Sequence, residues 1–258
     1  MRSWSLWAFL PICFSLCTAI GLIIVYFIAR QYDTITSLGW QSSNTGNWIP
    51  PPYISIAGNQ PPASCVFSQV MNMAAFMGFL IGFLRYLQLK PKVRKPWLNI
   101  ASLITFSLAS FGMTLVGNFQ WSNDERVHNA GTSLAFGLGT VFCWLQSIAT
   151  LRLNLRNEGR RLGIIRFVLS TAITLSVMLF LSLMLRGHHL HGARAQWCLV
   201  MFLLAFIGTL SVEFRHFNFD VVCTEHQEPP VTLSDRFSVV SENHPGTTVQ
   251  TQDHPGYL

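Results

Sequence analysis

The sequence predicts an all-α, polytopic membrane protein: six transmembrane helices in a compact bundle, with the N- and C-termini cytoplasmic. Half of the 258 residues are apolar and only 11% are charged, whereas a soluble chain devotes about a quarter of its residues to charged side chains. Six long apolar runs contain no Lys, Arg, Asp or Glu, and the basic residues concentrate on one side of these runs. Most of the surface is therefore expected to face lipid.

The six runs predict helices because a hydrocarbon core about 30 Å thick needs roughly 20 apolar helical residues to cross it. A closed barrel would show short alternating strands instead. The first run follows Arg2 but exceeds the usual signal-peptide core of about 7 to 15 residues, so it is predicted to be a spanning helix. The transmembrane domain covers 1–215, and its spans are predicted at about 7–29, 66–84, 97–119, 130–151, 167–185 and 196–212.

The distribution of Lys and Arg indicates the orientation, because cytoplasmic segments retain positive charge. Thirteen of the 17 basic residues lie on the side of the two termini, and four lie on the opposite side. The net charge of +6 is therefore expected to meet membrane lipids of the anionic inner leaflet, and no nucleic acid. A specific phosphoinositide contact stays open for residues 90–95 and for the pair Arg160 and Arg161.

Two long segments lie outside the spans. Residues 30–64 form an outer loop, and prolines at 50–52 and 61–62 are expected to hold its second half extended and ordered. This loop is interpreted as a cap over the outer helix ends or, alternatively, as a surface for a partner. Residues 216–258 are polar and acidic, and they are predicted to form a disordered cytoplasmic tail because they bury too little apolar surface to offset the entropy of ordering.

Small residues recur every four positions along the fourth span. Such a stripe lets two helix backbones approach closely, so packing within the bundle is predicted; homo-oligomerisation and a sliding interface stay open as alternatives. The stripe consists of Gly131, Ala135, Gly139, Cys143 and Ser147.

Polar side chains at membrane depth are expected to hydrogen-bond between helices and hold the bundle together. The amides in this class are Gln69, Asn72, Asn118 and Gln146, with Glu213 and Arg215 near the inner boundary. The spans offer no acidic ring and no carbonyl filter motif, which are common selectivity elements of cation channels.

The sequence indicates no catalytic, metal or cofactor site. Its six cysteines lack paired spacing, and no metalloprotease, nucleophile-elbow or phosphate-loop motif is present. A disulfide between Cys65 and Cys198 is left open, as is acylation of Cys223. Histidines in the outer links, including His128 and His189, are interpreted as solvated, with zinc or proton sensing as the alternative.

Specific strings in the outer loop and the second to fourth spans carry a family resemblance. The strings are residues 52–58, 61–74 and 117–120 followed by His128, and their characteristic positions are Tyr53, Gly58, Pro61, Pro62, Cys65, Asn72, Asn118, Phe119, Gln120 and His128. On these residues the chain resembles the damage-regulated autophagy modulator (DRAM) family over about 215 residues. Further strings at 88–93, 108–115, 157–161 and 212–216 resemble its transmembrane protein 150 branch, and within it the tentonin group.

The resemblance implies a component or modulator of a slowly inactivating mechanosensitive cation channel in the plasma membrane. A separate channel subunit or a homo-oligomer would then be the partner. Because the uncharged spans offer no evident ion path, a modulator is favoured over a pore. The alternative that the family implies is a membrane adaptor that regulates phosphoinositide kinase recruitment or autophagy and trafficking at the endosome or lysosome membrane. The family supplies no catalytic residues.

Overall fold

The computed structural model describes residues 5–39, 49–93, 96–153 and 159–219. Within these ranges the chain is helical and contains no strand. A 3-10 turn precedes the first helix, and a π turn over Leu134–Leu138 joins the fifth helix to the sixth. The α-helices are α1 (Phe9–Gln31), α2 (Ile54–Ala57), α3 (Ala63–Leu89), α4 (Pro96–Asn118), α5 (Glu125–Ser133), α6 (Gly139–Leu153), α7 (Gly159–Leu185), α8 (His189–Gly208) and α9 (Ser211–Phe214).

Six helical segments of the described chain are long and apolar enough to cross a membrane, which confirms the predicted all-α class and the six spans. The cytoplasmic location of both termini stays a prediction. α5 and α6 together form the fourth segment, and α8 with α9 forms the sixth. Large apolar side chains cover the outside of the bundle, as in Phe76 and Leu175, because lipid replaces water there. The segments are Leu6–Gln31, Ala63–Leu89, Pro96–Asn118, Glu125–Leu153, Gly159–Leu185 and His189–Phe214.

Several helices are longer than the apolar runs in the sequence. α3 continues past Arg85, α7 begins before Arg166, and the last segment includes Glu213. A hydropathy pattern ends at its first charged residue, whereas a helix continues when the charge is buried and satisfied. These three charged residues are buried within the bundle.

Consecutive long helices pack side by side, and α1 closes the bundle. The largest contacts join α3 to α4 and α7 to α8, while α1 lies against both α3 and α8. The core is built from aromatic and aliphatic side chains, among which Phe106 and Phe142 stack with ring centroids 4.1 Å apart.

The second half of the outer loop lies on the bundle, as the prolines predicted. The Thr36 backbone N–H donates to the Pro50 carbonyl at 2.9 Å, and the Trp197 indole donates to the Pro52 carbonyl at 3.0 Å. Ile54 of α2 is buried, and its backbone N–H donates to Gln196 Oε1 at 2.9 Å. This part of the loop therefore caps one end of the helices.

The stripe of small residues contacts three different partners instead of one. Gly131 lies against α4, where an added Cβ would come 2.9 Å from the Gly112 carbonyl oxygen. Gly139 faces open space, with Leu203 3.9 Å from such a Cβ, whereas Ser147 Oγ contacts Ser170 Oγ of α7 at 3.0 Å. The change of partner follows from the period, because a four-residue repeat drifts around a helix of 3.6 residues per turn and its members turn towards different neighbours.

Two predictions concern the chain ends and the cysteines. Phe219 packs edge-on against Trp7 with ring centroids 5.4 Å apart, so the packed chain extends beyond the predicted tail boundary at 216. The rest of the predicted tail, with Cys223, lies outside the described residues. Cys65 and Cys198 are free thiols, so the disulfide that the sequence left open is not formed in this structure.

Candidate functional site

The residues that carry the family resemblance gather at the capped end of the bundle. Asn72 of α3 and Asn118 of α4 exchange amide hydrogen bonds of 2.8 and 3.2 Å. The Ser68 hydroxyl also donates to Asn118 Oδ1, at 3.1 Å. As predicted, Asn72, Asn118 and Gln146 join neighbouring helices, whereas Gln69 is exposed and bonds to no other described helix.

His128 is buried, so its interpretation as a solvated loop histidine is wrong. Asp124 caps the helix through the backbone N–H groups of Arg126 and Val127, each at 3.1 Å, and α5 therefore begins early enough to include His128. The ring is 2% exposed and its Nδ1 lies 2.7 Å from the Phe119 carbonyl oxygen. Because a carbonyl only accepts, Nδ1 carries the proton and donates.

The loop residues of the motif fill the cap. The Tyr53 ring packs edge-on against Phe180 and His189, its hydroxyl lies 3.4 Å from His189 Nδ1, and burial raises the pKa of this hydroxyl. Gly58 lies so close to Phe67 that an added Cβ would overlap its ring. The other motif positions are exposed, as in Pro61, Pro62, Cys65 and Phe119, or half-buried, as in Gln120. Among the described residues no group of His, Cys, Asp and Glu is arranged to hold a metal ion.

An ionic network, formed by Arg85, Arg166 and Glu213, occupies the opposite end of the bundle. Glu213 Oε2 lies 2.9 Å from Arg85 Nη2 and 2.7 Å from Arg166 Nη2. All three residues are at most 6% exposed. The network joins α3, α7 and α9, which are distant in the sequence.

Both guanidinium groups also donate to neutral side chains. Arg85 donates to Gln146 Oε1 at 2.9 Å and to Gln88 Oε1 at 2.6 Å, and Arg166 Nε donates to Thr209 Oγ1 at 2.9 Å. Such additional hydrogen bonds make a buried ion pair tolerable, because desolvating each charge costs several kcal/mol. The arrangement is therefore suited to holding helices together.

Sequence reasoning missed this network. Arg85 and Arg166 were expected to meet lipid headgroups as topology determinants, but they lie inside the bundle. One signal was available: Glu213 is a lone acid at the edge of the last span, and a carboxylate there requires a cationic partner. Its two partners could not be identified, because Arg85 is 128 residues away in the chain.

A cavity of about 120 Å³ lies between the two polar ends. Five of the six spans and α2 line it, and its walls are almost entirely apolar. Phe106 and Phe142 line it one helical turn from Ser102 and Gln146, which belong to the hydrogen-bonded surroundings of the ionic network. Gln196 is among the few polar residues of the lining.

A family model described as the Frag1/DRAM/Sfk1/Cwh43P N-terminal domain matches residues 6–217, which include the cap, the cavity and the ionic network. The chain belongs to this family. The match confirms the resemblance that the motif residues carried, and it covers the six spans of this Frag1/DRAM chain.

Individual relatives agree with the family match. The chain is 34% identical over 212 residues to the modulator of macroautophagy TMEM150B of Xenopus tropicalis, covering 82% of this chain and 88% of the relative. It is 33% identical to human TMEM150B, with 86% and 91% covered. Transmembrane protein 150A of Mus musculus is 36% identical, with 69% of this chain and 67% of the relative covered. No solved structure matches the chain.

Proposed function

We propose that this chain is a multi-pass membrane modulator of macroautophagy that has no catalytic activity of its own. The observation that carries the proposal is its similarity to proteins named modulators of macroautophagy over 82% to 89% of its length. The family match over residues 6–217 includes nearly all of the described bundle. The site of action would be the endosome or lysosome membrane, with the plasma membrane as the alternative.

The geometry supports a regulator more than an ion path. The cavity inside the bundle has apolar walls, and Phe106 and Phe142 line it on the side of the ionic network. That network is buried and carries two cations for one anion. Apolar walls and excess positive charge both oppose the passage of cations.

The surface at the network end supports contact with anionic lipid. Lys90, Lys92, Arg152, Arg160 and Arg161 are exposed there. If this end is cytoplasmic, as the basic residues predict, these side chains reach the inner-leaflet headgroups. Lipid would thus be the first partner, and a homo-oligomer or a separate subunit would be an additional one.

Restoring the chain to cells that lack it is expected to change autophagic flux in the same direction as human TMEM150B expressed in parallel. Flux is measured as the amount of lipidated autophagosome marker that accumulates when lysosomal degradation is blocked. A chain ending at Phe219 is expected to retain the effect, because the family match ends at 217. Flux equal to that of empty-vector cells, with the protein present in endolysosomal membranes, would contradict the proposal.

The purified full-length chain, reconstituted alone in planar bilayers, is expected to give no current when membrane tension is stepped. The reason is the apolar cavity and the closed, positively charged network end. A tension-gated channel reconstituted by the same procedure provides the control for membrane tension and protein insertion. Reproducible cation-selective openings from this chain alone would instead restore the channel interpretation.

A further inference from the structure

The apolar cavity contains one polar group that is fixed in place and lacks a partner. Gln196 is 5% exposed and lines the cavity, and its Oε1 is held by the Ile54 backbone N–H at 2.9 Å. Because a backbone N–H only donates, the other end of this amide is the NH2 group. No described residue accepts a hydrogen bond from Gln196 Nε2.

The cavity is elongated along the helices. Its lining on α8 extends from Gln196 to Ile207, which is roughly 16 Å of helix. On α4 the lining extends from Phe106 to Val116, which is roughly 15 Å. An elongated apolar space of this kind fits a chain better than a compact ring.

The two ends of the cavity differ in polarity. Ser55 and Thr132 line it with Gln196 near the cap, whereas Phe106 and Phe142 line it towards the ionic network. None of its lining residues is charged. A ligand that fits must have a long apolar body and one small oxygen acceptor at its end.

We propose that this cavity binds one acyl chain, with the carbonyl oxygen of its ester or its protonated carboxylic acid accepting a hydrogen bond from Gln196 Nε2. A phosphate headgroup cannot occupy the cavity, because burying a charged headgroup among apolar side chains is costly. The surrounding membrane supplies acyl chains of two kinds, free fatty acids and phospholipid chains. The volume of about 120 Å³ is slightly smaller than the apolar cavity of about 150 Å³ that accepts benzene in a protein core, so the walls must move outward along a bound chain.

A substitution at Gly139 tests this proposal most directly. It is buried and lines the cavity, and an added Cβ would have only Leu203 near it, at 3.9 Å. Gly139→Leu would therefore extend a side chain into the empty space. Gly137 provides a matched control on the same helical segment, because it is exposed and an added Cβ would meet nothing within 4 Å.

The test is photolabelling of the full-length chain in lipid nanodiscs with palmitic acid that carries a diazirine, and separately with phosphatidylcholine whose acyl chain carries the same group. Adducts are located by mass spectrometry. Labelling of Met113, Val200 and Leu203 is expected in wild type and in Gly137→Leu, and its loss is expected in Gly139→Leu. Excess unlabelled palmitate or phosphatidylcholine should compete for these adducts but not for those on lipid-facing Phe76.

Labelling by only one of the two probes identifies the source of the chain, and labelling by both assigns the site to acyl chains in general. Should Gly139→Leu fail to fold, Gln196→Met serves in its place. Methionine has a similar length but no hydrogen-bond donor, so loss of the cavity adducts is again expected. Adducts confined to lipid-facing residues, or cavity adducts that are equal in all variants and resist competition, would overturn the proposal.

Discussion

Replacing Glu213 by glutamine is expected to destabilise the bundle by about 3–5 kcal/mol, the usual cost of removing one partner from a buried ion pair. The carboxylate accepts from Arg85 and Arg166 at 2.7 to 2.9 Å. Glutamine leaves both guanidinium groups buried without a counter-charge. The effect should be seen as a lower Tm of the purified protein in detergent, measured by the loss of its monodisperse chromatographic peak on heating.

The same substitution at Glu125 is the control, since this residue is exposed at the start of α5 and accepts a hydrogen bond of 3.4 Å from the Asn129 amide. Its loss should change stability by less than about 1 kcal/mol.

A second variant separates charge from packing. Replacing Arg85, Arg166 and Glu213 together by methionine removes every charge of the network, and such apolar replacement is often neutral or stabilising. Equal Tm values for Glu213→Gln and Glu125→Gln would show that the network contributes little to stability.

Gly112→Ala is expected to separate α4 from the fourth span and to lower the unfolding free energy by about 1–3 kcal/mol. A Cβ at this position would lie 2.6 Å from the Gly131 carbonyl oxygen and 2.8 Å from the Ala135 nitrogen. Both are backbone atoms, so the clash cannot be relieved by a change of rotamer. The measurement is again the Tm in detergent.

Gly137→Ala is the matched change for this prediction, because a Cβ there has nothing within 4 Å. Alanine in an unobstructed helical position is expected to stabilise by about 0.5–1 kcal/mol. The two variants should therefore move the Tm in opposite directions. A rise in Tm for both would mean that the close contact between Gly112 and Gly131 is relaxed in the protein.

The fold was predictable because lipid imposes a simple rule on the sequence: long uncharged runs must be helices. The same rule limited what could be inferred near the span ends. Arg85 and Arg166 looked like loop residues because hydropathy treats every charge as a boundary, and their pairing with Glu213 depends on tertiary structure.

The candidate sites were predictable only in part. The resemblance pointed to residues that lie together near the cap, such as Asn72 and Asn118, although their pairing is visible only in the structure. The stripe of small residues predicted close packing, which holds at Gly131. It could not predict the cavity beside Gly139, because the stripe does not show which neighbouring helix each of its residues faces.

The ionic network also bears on how the protein responds to the electrical potential of the membrane. Two guanidinium groups and one carboxylate give the network a net charge of +1, and this charge is fixed because arginine does not deprotonate in proteins. Moving one elementary charge across a potential of 100 mV involves about 2.3 kcal/mol. An inside-negative potential would therefore favour the orientation that the basic residues predict, with this end of the bundle on the cytoplasmic side. In that orientation Arg85 and Arg166, although shielded from the headgroups, would add to the preference.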